Sequence, residues 1–246
     1  MQIIACMWVY VYKFDKHGHF KKCKARLVVR GDQEAKSQTE DTYAATLAGR
    51  SFRVLMVIAA RFDLELIQYD VVNAFANAEL PYDVFMSLPP GYQKPGKILK
   101  LNKALYGLRM SPKLWQKELG SALRSLGFQL IPHEPCCFAK DGILVFFFVD
   151  DIALAYRKTQ ESLANELISA LKKQYKLTGG NELQCFLRIE VIRDCPRKLI
   201  WLSQSAYIEK ISRLADNKEM SCQMPISSIE LMPQEDSAQA YKITRY

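Results

Sequence analysis

Three features that would point to other classes of protein are missing from this sequence. No apolar run in its 246 residues approaches the roughly 18 that a transmembrane helix needs, so we expect no membrane span. The seven cysteines are odd in number and show no Cys-x-x-Cys spacing, which argues against a zinc site or a secreted disulfide framework and favours a reducing compartment. The apolar start of the chain has no basic leader and no small-residue cleavage site, so it predicts a strand and not a signal peptide.

Acidic residues are outnumbered by basic ones. The sequence contains 26 Asp and Glu residues and 34 Lys and Arg residues. The resulting net charge of +8 favours an anionic partner such as nucleic acid. With 49% hydrophobic and 24% charged residues, the composition is that of an ordinary globular protein. The chain is long enough for a sizeable core, or for one domain with an appended lobe.

Two adjacent carboxylates, Asp150 and Asp151, lie between two apolar runs that are predicted to be buried strands. The first run, 143–149, is β-branched and aromatic and follows Asp141-Gly142, a strong hairpin-turn signal. Carboxylates about 4 Å apart repel by roughly 4 kcal/mol at an effective dielectric of about 20, and a cation removes that cost. The alternative is a solvated Asp-Asp turn, since Asp is common in turns.

Basic and acidic residues also stand at the ends of other predicted strands. A hairpin over 8–30 places Lys22, Lys24, Arg26 and Arg30 on one face by the period of two, which suits either phosphate binding or a lysine-defended edge strand. Asp70 ends a strand predicted over 64–69, where the alternative to a functional carboxylate is a helix N-cap.

Four helices are predicted from apolar spacing, and the last would begin at Ser205 and carry Ile208, Ile211 and Leu214. The first three cover 52–62, 111–126 and 163–175, the second with Ser111 as N-cap and the third closed by Gly179-Gly180. Arg109 lies beside the second helix start, where backbone amides and a cation are able to face an anion. Alternating residues over 183–191 predict another strand.

Five segments, in this order, resemble the reverse transcriptase of copia-type LTR retrotransposons. They are KARLV at 24–28, QYDVVNAF at 68–75, PPGY at 89–92, KALYGLRMSP at 103–112 and FVDD at 148–151. Each segment alone is weak, but five in the right order are highly specific, and the resemblance runs from about residue 8 to 214. It implies an α+β fold, the right-hand polymerase palm, in which a mostly antiparallel sheet packs on helices beside a fingers lobe and a partial thumb. These parts are expected within residues 1–220, with a polar tail over 221–246.

The resemblance implies an RNA-directed DNA polymerase that transfers a nucleotide from a dNTP to a primer 3′-hydroxyl. Asp70 and Asp150 would bind two magnesium ions, for which manganese is an alternative, with Asp151 contributing less directly and the Val71 carbonyl as a further ligand. Magnesium is a hard cation that takes oxygen ligands, and a pair of ions stabilises both the attacking and leaving oxygens. The implied partners are an RNA/DNA template-primer duplex and dNTP, with no membrane; the oligomeric state is open.

Five residues are implied to contact the nucleotide. Lys24 and Arg26 resemble the fingers cations that clamp the triphosphate. Phe75 resembles the steric gate that excludes a ribose 2′-hydroxyl. Arg109 and Ser111 belong to the loop that would pack around the nascent base pair.

The sequence departs from the family pattern at Ala78, Met110 and Arg188, where Gly, Gln and Gly are usual. It also carries no ribonuclease H, protease or integrase segment, so we expect a fragment or relic of a polyprotein, located in the cytoplasm by default, with virus-like particles and the nucleus as alternatives. These departures leave open an inactive remnant that keeps the fold and nucleic-acid binding. The order of the segments argues against another palm-based nucleotidyltransferase.

Overall fold

The structure, a computed structural model, describes residues 2–14, 19–34 and 42–214. The helices are α1 (Gly49–Phe62), α2 (Ser111–Ser125), α3 (Glu161–Gln174) and α4 (Ser205–Leu214). The chain divides into two compact units, Met1–Ser203 and Gln204–Tyr246. The predicted boundary of a tail at residue 221 lies outside the described residues.

Fourteen strands form four sheets in the described part of the chain. The strands are β1 (Ile3–Ile4), β2 (Cys6–Phe14), β3 (Phe20–Val29), β4 (Glu65–Val71), β5 (Glu79–Ser87), β6 (Ile98–Lys103), β7 (Gln129–Leu130), β8 (Cys137–Lys140), β9 (Ile143–Phe148), β10 (Asp151–Tyr156), β11 (Leu177–Glu182), β12 (Cys185–Phe186), β13 (Ile189–Asp194) and β14 (Leu199–Ser203). The largest sheet has the order β11-β4-β10-β9-β8-β7 and is antiparallel throughout. Helices and mainly antiparallel sheets together make the α+β content that the sequence predicts.

Helices cover both faces of the six-stranded sheet. Phe52 of α1 packs against Phe146 of β9, with ring centroids 6.4 Å apart. Gly120 of α2 meets the ring of Phe138, whose strand partner is Val145, so α2 lies on the opposite face. The main core therefore encloses this sheet and holds β4 and β10 in its interior.

A second, smaller core joins the other two N-terminal sheets. β1 pairs in parallel with β5, and β5 pairs antiparallel with β6, while β2 and β3 form a separate hairpin. The buried residues of this core are Ile4, Cys6, Val29, Val84, Met86 and Leu108. The base of the β2–β3 hairpin is thereby anchored, because Cys6 and Val29 are its innermost strand partners.

Two sequence predictions about the region after α3 are wrong. Gly179 and Gly180 do not end the helix, which stops at Gln174; they lie in β11 at positive φ, beside a β-bulge. Glycine is needed there because a Cβ on Gly180 would lie 3.1 Å from the Tyr69 ring. The strand predicted over 183–191 is instead a hairpin of β12 and β13, whose turn at Leu187 and Arg188 carries none of the usual turn residues.

Candidate active site

The two predicted acidic segments meet at neighbouring central strands. Asp70 of β4 is the direct antiparallel partner of Asp151 of β10, so the two side chains leave the sheet on the same face. Asp150 occupies the turn between β9 and β10, and its carbonyl accepts a hydrogen bond of 2.8 Å from the Val71 amide. Asp70 is thus a strand residue, and the N-cap alternative is wrong: the short helix that follows begins at Ala74.

The turn that carries Asp150 holds a residue in an unusual backbone conformation. Val149 has φ +56°, a region that a β-branched side chain rarely adopts. The indole nitrogen of the buried Trp115, on α2, donates a hydrogen bond of 2.6 Å to the Val149 carbonyl. Helix α2 therefore fixes the turn at the residue just before Asp150.

The pKa values of Asp70 and Asp151 depend on burial and on the neighbouring acids. Partial burial raises the pKa of Asp70, and the charge of Asp150 raises it further, while Lys24 and Arg26 act in the opposite direction. Burial also raises the pKa of Asp151, with added contributions from Asp150 and Asp70. When the acids are ionised they repel one another, and a bound cation would reduce that repulsion.

Gln68 is a member of this site that the sequence analysis did not single out. Its side-chain nitrogen donates a hydrogen bond of 3.1 Å to a carboxylate oxygen of Asp151, which lowers the pKa of that carboxyl against the effect of burial. The signal was present, because a residue two positions before Asp70 on a strand shares its face. One of the two adjacent acids is thus oriented by a neutral donor.

Cations of the β2–β3 hairpin lie within electrostatic reach of Asp70. Lys22, Lys24 and Arg26 face one side of β3, opposite Lys13, Val11 and Val9 of β2. Lys24 is exposed and Arg26 is half-buried. Arg30, predicted on the same face, lies beyond the strand and forms a 2.7 Å ion pair with Asp32.

Tyr106 connects two of the predicted nucleotide residues. Its ring centroid lies 4.7 Å from that of Phe75 and 5.6 Å from the guanidinium carbon of Arg26. Burial raises the pKa of Tyr106, and the charges of Asp150 and Asp70 add to this effect. Tyr106 therefore lies between the cations and the acids, a position that no periodicity in the sequence predicts.

The predicted loop residues Arg109 and Ser111 are not brought to the carboxylates. Arg109 Nε donates to the Gly31 carbonyl at 2.9 Å, and its backbone nitrogen donates to Glu34 at 2.9 Å. Ser111 is fully buried, and its hydroxyl donates to the Leu105 carbonyl at 2.6 Å. It lies in the first turn of α2 and not at the N-cap, so the N-cap prediction is wrong, while its contact with a nucleotide stays a prediction.

Gly107 permits the close contact between this loop and the hairpin base. It has φ +100°, and a Cβ there would overlap the Val29 carbonyl oxygen. The Val29 amide donates to the Tyr106 carbonyl at 2.8 Å. The loop, the hairpin and the ring of Tyr106 are consequently held as one unit.

The acids suit a divalent cation by their chemistry. Asp70 and Asp150 offer the carboxylate oxygens that magnesium prefers, and the charge of Asp150 raises the pKa of Asp70. In the described ranges, no group of three or more His, Cys, Asp or Glu side chains is placed to hold a metal ion. Magnesium sites commonly need only one or two carboxylates when substrate phosphates complete the coordination. The two carboxylates therefore fit a magnesium ion whose remaining ligands include the phosphates of a bound triphosphate.

A family model described as reverse transcriptase (RNA-dependent DNA polymerase) matches residues 1–228. The retrovirus-related Pol polyprotein from transposon TNT 1-94 of Nicotiana tabacum is 30% identical over 217 residues, covering 85% of the chain and 16% of that relative. The corresponding polyprotein from transposon RE1 of Arabidopsis thaliana is 32% identical over 214 residues, covering 84% of the chain and 14% of the relative.

These matches confirm the predicted resemblance to copia-type reverse transcriptases. The chain spans less than a fifth of the length of either relative. Separately, none of the helices in the described part of the chain combines the length and the apolar character needed to cross a bilayer.

Proposed function

Because the chain belongs to the reverse transcriptase family, we propose that it acts as the RNA-directed DNA polymerase domain of a copia-type retrotransposon. The observation that carries this proposal is the meeting of Asp70 with Asp150 and Asp151 from a separate hairpin, with Lys24 and Arg26 in electrostatic reach. Acidic residues that hold metal ions and cations that stabilise the transferred phosphoryl group are recurring parts of phosphoryl-transfer sites.

The acids are proposed to hold two magnesium ions, with manganese as a substitute. Asp70 and Asp150 would be the main ligands, and the Val71 carbonyl and Asp151 would contribute less directly. When bound, such a pair of ions activates the primer 3′-hydroxyl and neutralises charge on the triphosphate. The hydrogen bond that Gln68 donates to Asp151 would hold the Asp151 carboxylate against the face of the sheet.

Lys24 and Arg26 are proposed to bind the triphosphate. They are basic residues of a hairpin strand that lies next to the loop of Tyr106. Charge develops on the phosphate oxygens during transfer, so cations in this position lower the barrier more than they strengthen substrate binding. Arg109 is hydrogen-bonded to the 31–34 segment and would thereby stabilise the base of the β2–β3 hairpin.

The parts of a right-hand polymerase are proposed to correspond to the observed sheets. The six-stranded sheet with its helices would be the palm, and the β2–β3 hairpin would belong to the fingers. The β12–β14 sheet and α4 would begin the thumb, so that residues 1–220 form the polymerase portion and 221–246 a tail. The proposed ligands are an RNA/DNA template-primer duplex and dNTP.

Phe75→Ala is expected to admit ribonucleotides. The Phe75 ring is mostly buried against Tyr106 beside the acids, and removing it opens space where a 2′-hydroxyl would otherwise clash. We expect the ratio of ribonucleotide to deoxynucleotide incorporation to rise roughly tenfold. This ratio is independent of the folded fraction, so a destabilised preparation remains informative, and an unchanged ratio would remove Phe75 from the gate role.

Template-directed primer extension tests the proposed activity. The full chain would be supplied with oligo-dT on poly-rA, dTTP and magnesium, and product length would be followed on a gel. Extension with dTTP but not with a mismatched dNTP is the expected result. Binding of the duplex without any extension would reject the polymerase proposal.

One observation favours the second candidate, an inactive remnant that retains nucleic-acid binding. Arg188 occupies the β12–β13 turn at φ +61°, where the family usually has glycine. A left-handed conformation costs a non-glycine residue roughly 1–2 kcal/mol. The β12–β13 hairpin therefore contains a strained turn. Such strain is consistent with a protein whose catalytic geometry is no longer maintained.

Arg188→Gly is expected to stabilise the protein by roughly 0.5–1 kcal/mol, because relief of backbone strain exceeds the added freedom of the unfolded chain. The midpoint of urea unfolding measures this change. Arg197→Gly is the matched control, since Arg197 lies in the turn of the same sheet but has no positive φ. It should lose stability, and a loss in both variants would refute the strain at Arg188.

A further inference from the structure

The outer side of the β2–β3 hairpin carries a cluster of exposed aromatic rings, which we call the aromatic face: Tyr10, Tyr12, Phe14 and Phe20. Phe14 and Phe20 are cross-strand partners, and Tyr10 and Tyr12 precede Phe14 at every second residue of β2, so all four rings project on one side. Their exposed fractions are 71%, 68%, 59% and 59%. Large rings at this exposure, grouped on one face, mark an interaction surface.

Phe20 contacts two of the other rings, Tyr12 and Phe14, edge to face. The centroid of Phe20 lies 6.0 Å from that of Tyr12 and 6.3 Å from that of Phe14. Along β2, rings at every second residue are spaced about 6.8 Å apart. The cluster thus presents ring faces and edges at regular intervals to whatever flat groups approach it.

The opposite side of the hairpin is cationic. The strand register places four basic residues on that side: Lys13, Lys22, Lys24 and Arg26. Lys21 lies at the irregularity in the pairing of β2 with β3. The described residues of β2 and β3 include no Asp or Glu. A hairpin with this charge attracts a polyanion and repels a second copy of itself.

We propose that the aromatic face binds single-stranded nucleic acid, whose bases stack on Tyr10, Tyr12 and Phe14 while Lys21 at the irregularity and the net positive charge of the hairpin attract its phosphates. Exposed rings combined with a cationic backbone track are the two elements of single-strand binding, and stacking tolerates any base. The strand would lie on the side away from Lys24 and Arg26, outside the polymerising site. This binding goes beyond the proposed polymerase function and does not depend on it.

The test compares oligonucleotides with and without bases. Fluorescence anisotropy would measure binding of the full chain to dT15, rU15 and an abasic 15-mer that keeps the phosphates. In Tyr12→Thr/Phe14→Thr, where threonine preserves strand propensity, we expect affinity for both base-containing strands to fall about tenfold or more, with little change for the abasic strand. Loss for only one of dT15 and rU15 would assign the face to that nucleic acid.

Trp201→Thr is the matched control, because Trp201 is an exposed ring on β14 in a different sheet; its affinities should stay unchanged. Equal losses on the abasic and base-containing strands in the double variant would overturn the proposal, as would no loss at all. Sedimentation equilibrium completes the design: if the double variant abolishes self-association and leaves single-strand affinity intact, the face joins two copies and the proposal is wrong. Primer extension by the double variant, which leaves the acids intact, reports the polymerase activity separately.

Discussion

Asp150→Asn is expected to abolish primer extension, lowering kcat by about a thousandfold or more. The substitution keeps the shape of the side chain and removes the charge that would hold a divalent ion. Loss of the several kcal/mol that a metal ion contributes to transition-state stabilisation corresponds to a rate factor of this order. Single-nucleotide incorporation on a saturating template-primer measures the change.

The loss should not come from unfolding. Asp150 raises the pKa of Asp70 and Asp151 by its charge, so its neutralisation removes repulsion and leaves Tm equal or higher in metal-free buffer. Asp141→Asn is the matched control, because Asp141 lies in the turn at the other end of β9, where asparagine tolerates φ +49°. Full activity is expected there. Extension by Asp150→Asn at the wild-type rate would end the metal-site proposal.

Short-range signals predicted the central hairpin correctly. Asp141-Gly142 indicated the turn before β9, and the apolar run to Val149 indicated the strand itself. Strands β9 and β10 are buried on both faces, so nearly all of their residues are apolar. Such short apolar runs are readily predicted as strands. Asp70 was likewise correctly placed at the carboxyl end of a strand, because the mainly apolar residues before it indicated that strand.

Tertiary contacts produced the features that the sequence could not predict. The turn at Leu187 and Arg188 lacks Gly and Asn, so nothing local separated β12 from β13. Gly179-Gly180 looks like a helix stop, and only the approach of β4 explains why glycine is needed there. Ser111 has the residue type of an N-cap, yet burial directed its hydroxyl to the Leu105 carbonyl.

Trp115→Phe is expected to lower both stability and activity. The indole N–H that bonds to the Val149 carbonyl is lost, while most of the ring volume remains. A hydrogen bond lost from a buried site costs about 1–3 kcal/mol. Without it, Val149 is freer to leave φ +56°, which displaces Asp150, the next residue. Misplacement of this kind should reduce kcat roughly ten- to a hundredfold.

Phe138→Leu separates the effect on the turn from a general loss of core packing. Phe138 is as buried as Trp115 and contacts the same helix, but it lies on β8, away from the turn. Both variants should unfold at lower urea concentration, since each leaves a packing defect. Only Trp115→Phe should lose activity under conditions where the protein is fully folded, because only this variant removes a bond to the residue that precedes Asp150. Equal activity in the two folded variants would show that the turn holds its conformation without α2.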